Sequence, residues 1–507
     1  MTAGTLERPR TGQVPPRARN EPRLVDVPVE DAQRHLFEAV DGLRLLHPEY
    51  SAHTVLSRGQ RRLAIAVGVL LLGGLIVATV LTIQVCLGLI TFVYAAAVWY
   101  RWRCFRAGVQ NQAVVRVSDD VARAYPAAHL PRYTILVPAY REPEVIPTLL
   151  KNIAAMDYPR RKLEVLVLLE EDDDATREAI RRARPAGYVR TVVVPASEPK
   201  TKPKACNYGL QLATGDILTI YDAEDRPDPL QLRKAAIALA NLPDDVVCMQ
   251  GLLGYRNAAQ NRITRWFTVE YLIWFTHFLP GLVALGAPLP LGGTSNHVRT
   301  DTLRELGGWD PFNVTEDADL GIRLHRSGLR TMVLESWTDE EANSDFVNWV
   351  KQRSRWYKGY FQTWLVHMRQ PRKTKQQIGW RGLIGLNLFV GGTPALAALN
   401  PWFWGMTLIW FVAKPHWILA LFPAPLYFPA MACWIFGNLA VIYMGIYSIR
   451  VARREDLVAS AITVPAYWVM MSVAAIKAFV QLFQAPAFWE KTMHGLERAG
   501  HRNGAGR

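Results

Sequence analysis

The chain has 507 residues and a formal net charge of +14 at pH 7, and half of its residues are hydrophobic. This length predicts at least two structural units, because a single compact domain rarely grows so large. The charge does not indicate nucleic acid as a partner, since no nucleic-acid motif accompanies it and much of the Lys and Arg lies beside apolar runs. The five cysteines have no metal-ligand spacing and predict isolated thiols.

The N-terminal part predicts a tail followed by two membrane helices. Residues 1–30 are rich in Pro and Arg and predict a disordered tail, and residues 31–62 predict an amphipathic segment. Residues 63–100 are almost continuously apolar and would span about 57 Å as one helix, roughly twice a bilayer core. Two transmembrane helices that turn near residues 82–84 fit better. Arginines at both ends predict that both ends are cytoplasmic: Arg61, Arg62, Arg101, Arg103 and Arg106.

Residues 130–345 predict a soluble α/β domain. Four apolar runs separated by polar, helix-like stretches predict its strands: Tyr133–Val137, Leu163–Leu169, Val189–Val194 and Ile217–Tyr221. Near-continuous apolar strands of this kind favour a parallel sheet that is covered on both faces. Functional residues are then expected at the carboxyl ends of the strands.

More helices are predicted after this domain. Residues 346–370 predict an interfacial helix with an aromatic face, residues 383–484 predict transmembrane or interfacial helices, and residues 485–507 predict a cytoplasmic tail. Four apolar runs lie in the second of these ranges: 383–399, 401–422, 426–449 and 458–484. Together with the N-terminal pair, they predict four to six crossings.

An acidic segment follows the fourth predicted strand. Asp222, Glu224 and Asp225 lie so close together that their charges repel each other unless a cation lies among them. Oxygen ligands of this kind suit Mg²⁺ or Mn²⁺. The residues alone leave open a solvated turn that ends at the following prolines.

Two further segments carry candidate chemistry. Thr315 can cap a helix whose first turn holds Glu316 and Asp317, so this segment is either an ordinary helix start or the place of a catalytic carboxylate. In QRSRW, the side chains of Gln352, Arg355 and Trp356 fall on one face of a helix. An amide, a guanidinium and an indole on one face suit a sugar diphosphate, since guanidinium grips phosphate.

The order of these segments carries more information than any one of them. The chain reads VPAYREPE, EEDDD, KPKACNYGL, DAED, GGTSN, TED and QRSRW, with apolar spans before and after. This set resembles the processive, membrane-bound family 2 glycosyltransferases, which include cellulose, hyaluronan and chitin synthases. The TED and QxxRW motifs are matched in full. The resemblance implies a GT-A domain, which is a Rossmann-like α/β fold with a mostly parallel sheet, on the cytoplasmic side of a multi-pass cell-membrane protein.

The resemblance also implies roles for single residues. Asp317 would be the general base, and Asp222 and Glu224, with Asp225 beside them, would hold Mg²⁺ or Mn²⁺. The acceptor and the diphosphate would contact a further set: Gly293, Ser295, Glu316, Gln352, Arg355 and Trp356.

The nucleotide-sugar would contact the segments that follow the first strands. Tyr140, Glu142 and Glu171 would cradle the nucleotide, and Lys204 would hold the diphosphate, with Lys202 as its rival. The early aspartates of the family appear here as an acidic run, and which carboxylate takes their role stays open: Glu170, Glu171 or Asp172.

The implied function is inverting transfer of a hexosyl unit from a nucleotide diphosphate-sugar to a growing polysaccharide, in a processive reaction coupled to export. The implied partners are the donor, a glycan acceptor and the lipid bilayer; an accessory export subunit stays open. One alternative is non-processive transfer of one sugar to a lipid or polyprenyl phosphate, against which QRSRW argues. The other is a transport or scaffold protein with an inactive transferase domain.

Overall fold

The computed structural model describes residues 23–25, 27–110, 113–486 and 488–490. Within these ranges, one sheet contains all ten strands: β1 Arg23–Leu24, β2 Val114–Val115, β3 Tyr133–Ala139, β4 Leu163–Glu170, β5 Val189–Val194, β6 Ile217–Ile220, β7 Arg226–Pro227, β8 Val246–Tyr255, β9 Asn296–Arg299 and β10 Arg330–Glu340.

Nineteen α-helices lie in the same ranges: α1 Val29–Leu46, α2 Arg58–Val77, α3 Thr79–Val109, α4 Asp119–Ala124, α5 Ile146–Ala154, α6 Asp174–Ala183, α7 Lys202–Leu212, α8 Gln231–Asn241, α9 Arg262–Ile273, α10 Leu279–Ala284, α11 Thr300–Glu305, α12 Glu316–Arg326, α13 Phe346–His367, α14 Pro371–Gly385, α15 Gly392–Ala413, α16 His416–Leu421, α17 Ala424–Val451, α18 Val458–Ile462 and α19 Val464–Gln484. Two π-helical stretches link neighbouring helices: Trp274–Phe278 and Leu386–Gly391.

The sheet order places a topological switch point at the centre of the domain. The strands run β1-β5-β4-β3-β6-β9-β8-β10-β2, and β7 pairs with β10. Strands β9 and β7 are antiparallel to their neighbours and the other pairs are parallel. From β3 the chain proceeds outward to β4 and β5, and then returns to the other side of β3 as β6. Ligands of open α/β sheets bind at the carboxyl ends of strands at such a point.

The four predicted strands are confirmed as β3, β4, β5 and β6. Successive side chains of β3 enter opposite apolar cores, with Ile135 on one face of the sheet and Leu136 on the other, because side chains alternate along a strand. The sequence prediction missed the other six strands, of which β8, β9 and β10 lie in the central part of the sheet. β9 is a four-residue strand, NHVR, whose polar residues do not give a strand pattern.

Six described segments are long and apolar enough to cross a membrane: Arg58–Val77, Thr79–Val109, Arg262–Ala284, Pro371–Ala413, Ala424–Val451 and Val464–Gln484. The first two form the predicted N-terminal pair, but the break lies at Ala78 instead of residues 82–84, because Ala78 has a non-helical backbone. The third segment was not predicted, since Arg262, Arg265 and Glu270 interrupt its apolar pattern.

The C-terminal helices differ from the predicted runs. The runs predicted at 383–399 and 401–422 belong mainly to one segment, Pro371–Ala413, which retains Pro401 inside it. A proline is tolerated in a membrane helix when neighbouring groups satisfy the freed backbone.

Helix α19 runs parallel to α13. The rings of Trp349 and Tyr467 are 5.1 Å apart and those of Phe361 and Phe479 are 6.1 Å apart, so the two helices keep one register over these contacts. Helix α19 therefore lies along the helix that carries QRSRW.

Both predicted tails need correction where the structure describes them. Strand β1 pairs with β5 and helix α1 begins at Val29, so both begin inside the predicted tail 1–30. Helix α1 buries Ala39 and Leu43, and Asn207 Nδ2 donates to the Ala39 carbonyl at 3.0 Å. Residues 1–22 and 26 of that tail lie outside the described residues, as do residues 487 and 491–507 of the C-terminal one. Residues 488–490 pack against α13 and are not a free tail.

Candidate active site

A cavity of about 400 Å³ lies at the carboxyl ends of β3, β4 and β6. It brings together eleven of the fourteen predicted site residues: Tyr140, Glu142, Asp222, Glu224, Asp225, Gly293, Glu316, Asp317, Gln352, Arg355 and Trp356. The prediction that these separate segments meet at one site is therefore supported by the geometry. We call this space the donor cavity.

The acidic segment after β6 is held by one of its own backbone amides and by the side chain of Thr294. The carboxylate of Asp225 accepts from the Asp222 amide at 2.8 Å and from Thr294 Oγ1 at 2.5 Å. Asp225 is buried, and burial together with the charges of Asp222 and Glu224 raises its pKa well above the usual range. Burial and the same three carboxylates also raise the pKa of Glu340 on β10. A cation in this place would relieve the repulsion.

Lys202, at the start of α7, supplies the cation that faces this segment. Its ammonium group contacts the carboxylate of Asp222 and donates to the Gly293 carbonyl at 2.9 Å. Burial alone would lower the pKa of Lys202, but the charges of Asp222 and Glu316 raise it above the usual range. The ammonium therefore stays charged inside the donor cavity.

Three predicted residues lie outside the donor cavity, and a neighbour lines it in place of each. Lys204 is fully buried and donates to Glu170 at 2.8 Å, because it points from α7 toward the end of β4 while Lys202 points into the cavity. Glu170 lines the cavity in place of Glu171, whose carboxylate accepts from the Ala196 amide. Thr294 lines it in place of Ser295, which is buried against Thr338.

The TED segment opens α12 and places the buried carboxyl of Glu316 beside the half-buried carboxyl of Asp317. Burial and the charge of Asp317 raise the pKa of Glu316 to about 8. Burial also raises the pKa of Asp317 to about 6, although the amide of Ala318 donates to it at 2.7 Å. A methyl group at Gly293 would lie 3.3 Å from Asp317 Oδ2 and 3.8 Å from Lys202 Nζ. The missing side chain thus leaves open space beside the candidate base.

Arg355 projects from α13 into the same cavity. Its Nε is buried and has no hydrogen-bond partner in the described part of the chain. Burial lowers the pKa of Arg355, while Glu316 and Asp222 oppose that change. A buried guanidinium N–H without a hydrogen-bond partner costs folding free energy unless a ligand accepts a hydrogen bond from it. An anion such as a diphosphate can accept that bond.

The neighbouring Arg353 has a different role. It makes two bonds to Glu270, at 2.9 and 2.5 Å, and one to Tyr467 at 3.1 Å. Arg353 therefore ties α13 to α9 and α19 and sets the direction of Arg355 two residues later.

Sequence reasoning missed Trp489, which lines the donor cavity from the C-terminal segment. Lys358 donates to the carbonyls of Ala485 and Phe488 at 3.2 and 2.7 Å, and Gln362 donates to Pro486 at 2.9 Å. Lys358 and Gln362 follow QRSRW along α13. These polar residues on the next turns of the helix were the sequence signal that could have indicated a contact with the C-terminal segment.

Tyr140 closes the end of the donor cavity that the resemblance assigns to the nucleotide. Its hydroxyl donates to Asp172 at 3.1 Å, and Lys200 Nζ lies 2.8 Å from the same carboxylate. The hydrogen bond from Lys200 is the main cause that lowers the pKa of Asp172. The planar ring of Tyr140, held in this way, presents a face on which the nucleobase of the donor can stack.

Ten carboxyl and four basic side chains line the donor cavity. Such an excess of carboxylates fits a divalent cation better than a free anion. In the part of the chain that the structure describes, no three His, Cys, Asp or Glu side chains already converge as a ligand set. Asp222, Glu224 and Asp225 of the acidic segment are the residues that would hold such a cation.

Comparisons with known proteins agree with this geometry. Residues 131–359 match the family model "Glycosyltransferase like family 2". The chain is 26% identical to a probable glycosyltransferase, YdaM, of Bacillus subtilis, over 49% of this chain and 60% of that protein. It is 27% identical to the beta-monoglucosyldiacylglycerol synthase of a Nostoc species, over 46% of this chain and 50% of that protein.

A plant relative and a solved structure extend the comparison. Glucomannan 4-beta-mannosyltransferase 7 of Arabidopsis thaliana is 25% identical over 47% of this chain and 44% of its own length. The mannosyltransferase PcManGT of Pyrobaculum calidifontis, solved with GDP-Man and Mn²⁺, is 21% identical with a TM-score of 0.49, over 80% of this chain and 99% of that one. The chain spans 60% or less of the length of the curated relatives named here. Residues 131–359, the part of the chain that matches the family 2 glycosyltransferase model, contribute most strands of the sheet, and this mostly parallel sheet has the predicted GT-A fold.

Proposed function

We propose that this protein transfers a hexosyl unit, with inversion, from a nucleotide diphosphate-sugar to an acceptor hydroxyl at the cytoplasmic face of the cell membrane. The observation that carries the proposal is the arrangement of Asp317, Lys202 and Arg355 around one cavity. It combines a carboxyl with a pKa of about 6 and two cations directed into the same space. Such a transfer needs a base that titrates near neutral pH and cations beside the leaving diphosphate.

Asp317 acts as the general base. As the acceptor oxygen attacks the anomeric carbon, Asp317 takes the hydroxyl proton, and the open space at Gly293 admits the sugar beside it. The bond from the anomeric carbon to the diphosphate oxygen breaks on the opposite side, so an α-linked donor gives a β-linked product. Lys202 and Arg355 neutralise the diphosphate that leaves.

The acidic segment is the proposed metal site. Asp222, Glu224 and Asp225 would hold Mg²⁺ or Mn²⁺, which would supply positive charge to the diphosphate when bound. Tyr140 and Glu142 would contact the nucleotide, and Glu316, Gln352 and Trp356 would contact the diphosphate or the acceptor sugar.

The acceptor divides the proposal into two candidates. Processive synthesis of a polysaccharide, coupled to export, is supported by the complete QRSRW segment and by the relative named as a glucomannan mannosyltransferase. Transfer of one sugar to a lipid is supported by the relatives named as beta-monoglucosyldiacylglycerol synthases. It is also supported by a second, mainly apolar cavity of about 170 Å³, which lies among α3, α15, α17 and α19 and shares lining residues with the donor cavity.

The proposal is tested with the full chain in lipid nanodiscs, a panel of radiolabelled nucleotide sugars and Mn²⁺. We expect one donor to be turned over, with the release of nucleotide diphosphate, and Asp317→Asn to lose that turnover. The proposal fails if every donor is left intact, or if Asp317→Asn matches the wild-type rate.

A further inference from the structure

Two of the segments that are long and apolar enough to cross a membrane begin beside each other, at the end of α13. Gln60 Nε2, in the first turn of α2, donates to the Leu365 carbonyl at 2.7 Å. Thr374 Oγ1 of α14 donates to the His367 carbonyl at 2.6 Å. Because both acceptors belong to the same end of α13, the two segments start at one level relative to a membrane that they cross.

Both starts expose basic side chains, which we call the basic rim: Arg58, Arg61, Arg62, Arg372, Lys375 and Arg381. The first turns of α2 and α14 contain no acidic residue. Among the described residues, no carboxylate forms an ion pair with a member of the basic rim, and the nearby Lys373 contacts Glu49 at 3.4 Å. The positive charge of the rim is therefore not neutralised by those residues.

The opposite face of α14 is attached to the protein. Thr374 and Ile378 are buried, and Gln377 Oε1 accepts from two nitrogens of Arg326 at 2.9 and 2.6 Å. Arg326 lies at the end of α12, the helix that the TED segment opens. The exposed cations of α14 are therefore carried by a helix of set orientation and not by a loose loop.

A break in the helix marks where the polar and apolar parts of this segment meet. Gly379 has a φ of +64°, a left-handed conformation that favours glycine. The next residue, Trp380, is 63% exposed, and Lys375 Nζ lies 4.0 Å from the centre of its ring. Indole rings collect at the boundary between hydrocarbon and headgroups, and basic residues beside that boundary meet the lipid phosphates. The basic rim thus has the composition of a surface at headgroup level.

We infer that the basic rim binds the phosphates of anionic phospholipids in the leaflet nearest to the sheet domain. Exposed cations without acidic neighbours attract a negatively charged membrane surface, whereas a zwitterionic headgroup carries a cation of its own. The exposed indole favours a headgroup over free phosphate, because only a lipid brings hydrocarbon beside the anion. These lipids are ligands of the protein and not acceptors of a sugar, so the inference goes beyond the proposed function and does not depend on it.

The experiment counts bound lipids by native mass spectrometry. The full chain, in a neutral detergent, is titrated with dioctanoyl phosphatidylglycerol or with dioctanoyl phosphatidylcholine. One triple variant removes the charges of α14 (Arg372→Gln, Lys375→Gln and Arg381→Gln), and a second removes those of α2 (Arg58→Gln, Arg61→Gln and Arg62→Gln). We expect the wild type to prefer phosphatidylglycerol, and each triple variant to bind it roughly tenfold more weakly, because every basic residue near an anionic surface adds to the attraction.

A matched control removes three exposed basic residues of the sheet domain and changes the net charge equally: Lys151→Gln, Arg161→Gln and Arg181→Gln. The control should keep the wild-type affinity for phosphatidylglycerol. Thermal unfolding of all variants shows whether each one is folded, and the two triple variants on different helices test the rim independently.

Three results would overturn the inference. The first is equal affinity of the wild type for the two lipids. The second is an unchanged affinity for phosphatidylglycerol in both folded triple variants, or a loss of the same size in the control. The third is displacement of the lipid by inorganic phosphate beyond that caused by sodium chloride at the same ionic strength, which would assign the rim to free phosphate.

Discussion

The guanidinium carbon of Arg355 lies 4.5 Å from the centre of the Trp489 ring, inside the donor cavity. One residue belongs to QRSRW and the other to the segment that follows α19, more than a hundred residues later in the chain. The contact means that the C-terminal segment forms a wall of the candidate site.

Replacing Trp489 by Ala should weaken donor binding. The ring holds Arg355 in place, and a cation over an aromatic face is worth roughly 0.5–2 kcal/mol, so the donor KM should rise about 2- to 30-fold. Trp489→Phe retains an aromatic face and should lose less, and Trp380→Ala changes an exposed indole on α14 as a control. Steady-state release of nucleotide diphosphate measures the change. An unchanged KM in Trp489→Ala would show that the wall is dispensable.

Substitutions of Lys202 and Lys204 should have different effects, the first on donor binding and the second on folding stability. Lys202→Met removes a charge-assisted contact to the diphosphate, which is worth about 1.5–3 kcal/mol, and should raise the donor KM roughly 10- to 150-fold. Lys204→Met leaves Glu170 buried without its partner and should cost about 3–5 kcal/mol of folding free energy. Donor titration and thermal unfolding of both variants test these two expectations. If Lys204→Met weakens donor binding and Lys202→Met lowers stability instead, the diphosphate contact belongs to Lys204.

The rate should depend on pH through Asp317. Burial raises its pKa to about 6, and a base must be deprotonated, so kcat/KM should rise with pH up to about 6 and level off above it. Asp317→Asn should lose roughly 10²- to 10⁴-fold in rate, together with this rise. Asp301→Asn, at an exposed position on α11, serves as the control. A pH profile that is the same in Asp317→Asn would assign the base elsewhere.

Glu316 should make the protein less stable at high pH. Its pKa in the folded state is about 8, above the ordinary 4.5, so the folded state binds the proton more tightly than the unfolded state does. The resulting stabilisation is complete below pH 4.5 and is lost as pH rises through 8. Glu316→Gln should therefore unfold at a higher temperature than the wild type at pH 9, with a smaller difference at pH 5. Calorimetry at both values tests the sign.

Metal binding can be measured without turnover. Mn²⁺ titration followed by electron paramagnetic resonance should show a site that Asp222→Asn weakens roughly tenfold or more, a loss seen even for residues that only orient a metal ligand. Asp301→Asn should bind as the wild type does. Chelation should stop the transfer and added Mn²⁺ should restore it. Equal affinity in Asp222→Asn would place the metal away from the acidic segment.

Much of the sheet domain was predictable because its central strands are apolar on both faces. The runs at Tyr133 and Leu163 are continuous, and a buried parallel strand needs no alternation. Polar residues that follow such strands must meet at one edge, which is why Tyr140 and Asp222 were found from the sequence. The strand at Asn296 was missed because its place is set by neighbours that are distant in the chain.

The choice between adjacent residues was less predictable. Lys202 and Lys204 both belong to KPK, and only the direction of α7 decides which one enters the donor cavity. Trp489 was missed because its position depends on the parallel packing of α13 and α19, a contact over a sequence distance of more than one hundred residues. The break at Ala78 was also misplaced, since a continuous apolar run carries little information on where a helix ends.

The donor-cavity side chain Thr393 comes from α15, which belongs to a segment long and apolar enough to cross a membrane, whereas Lys202 and Asp222 come from the sheet domain. Under the proposed function, the residues that select the sugar and those that select the acceptor would lie in separate stretches of the chain. A chimera that exchanges residues 371–484 between two relatives should keep its sugar and change the molecule to which that sugar is joined. The membrane helices would then be units of specificity that evolution can recombine, as well as an anchor.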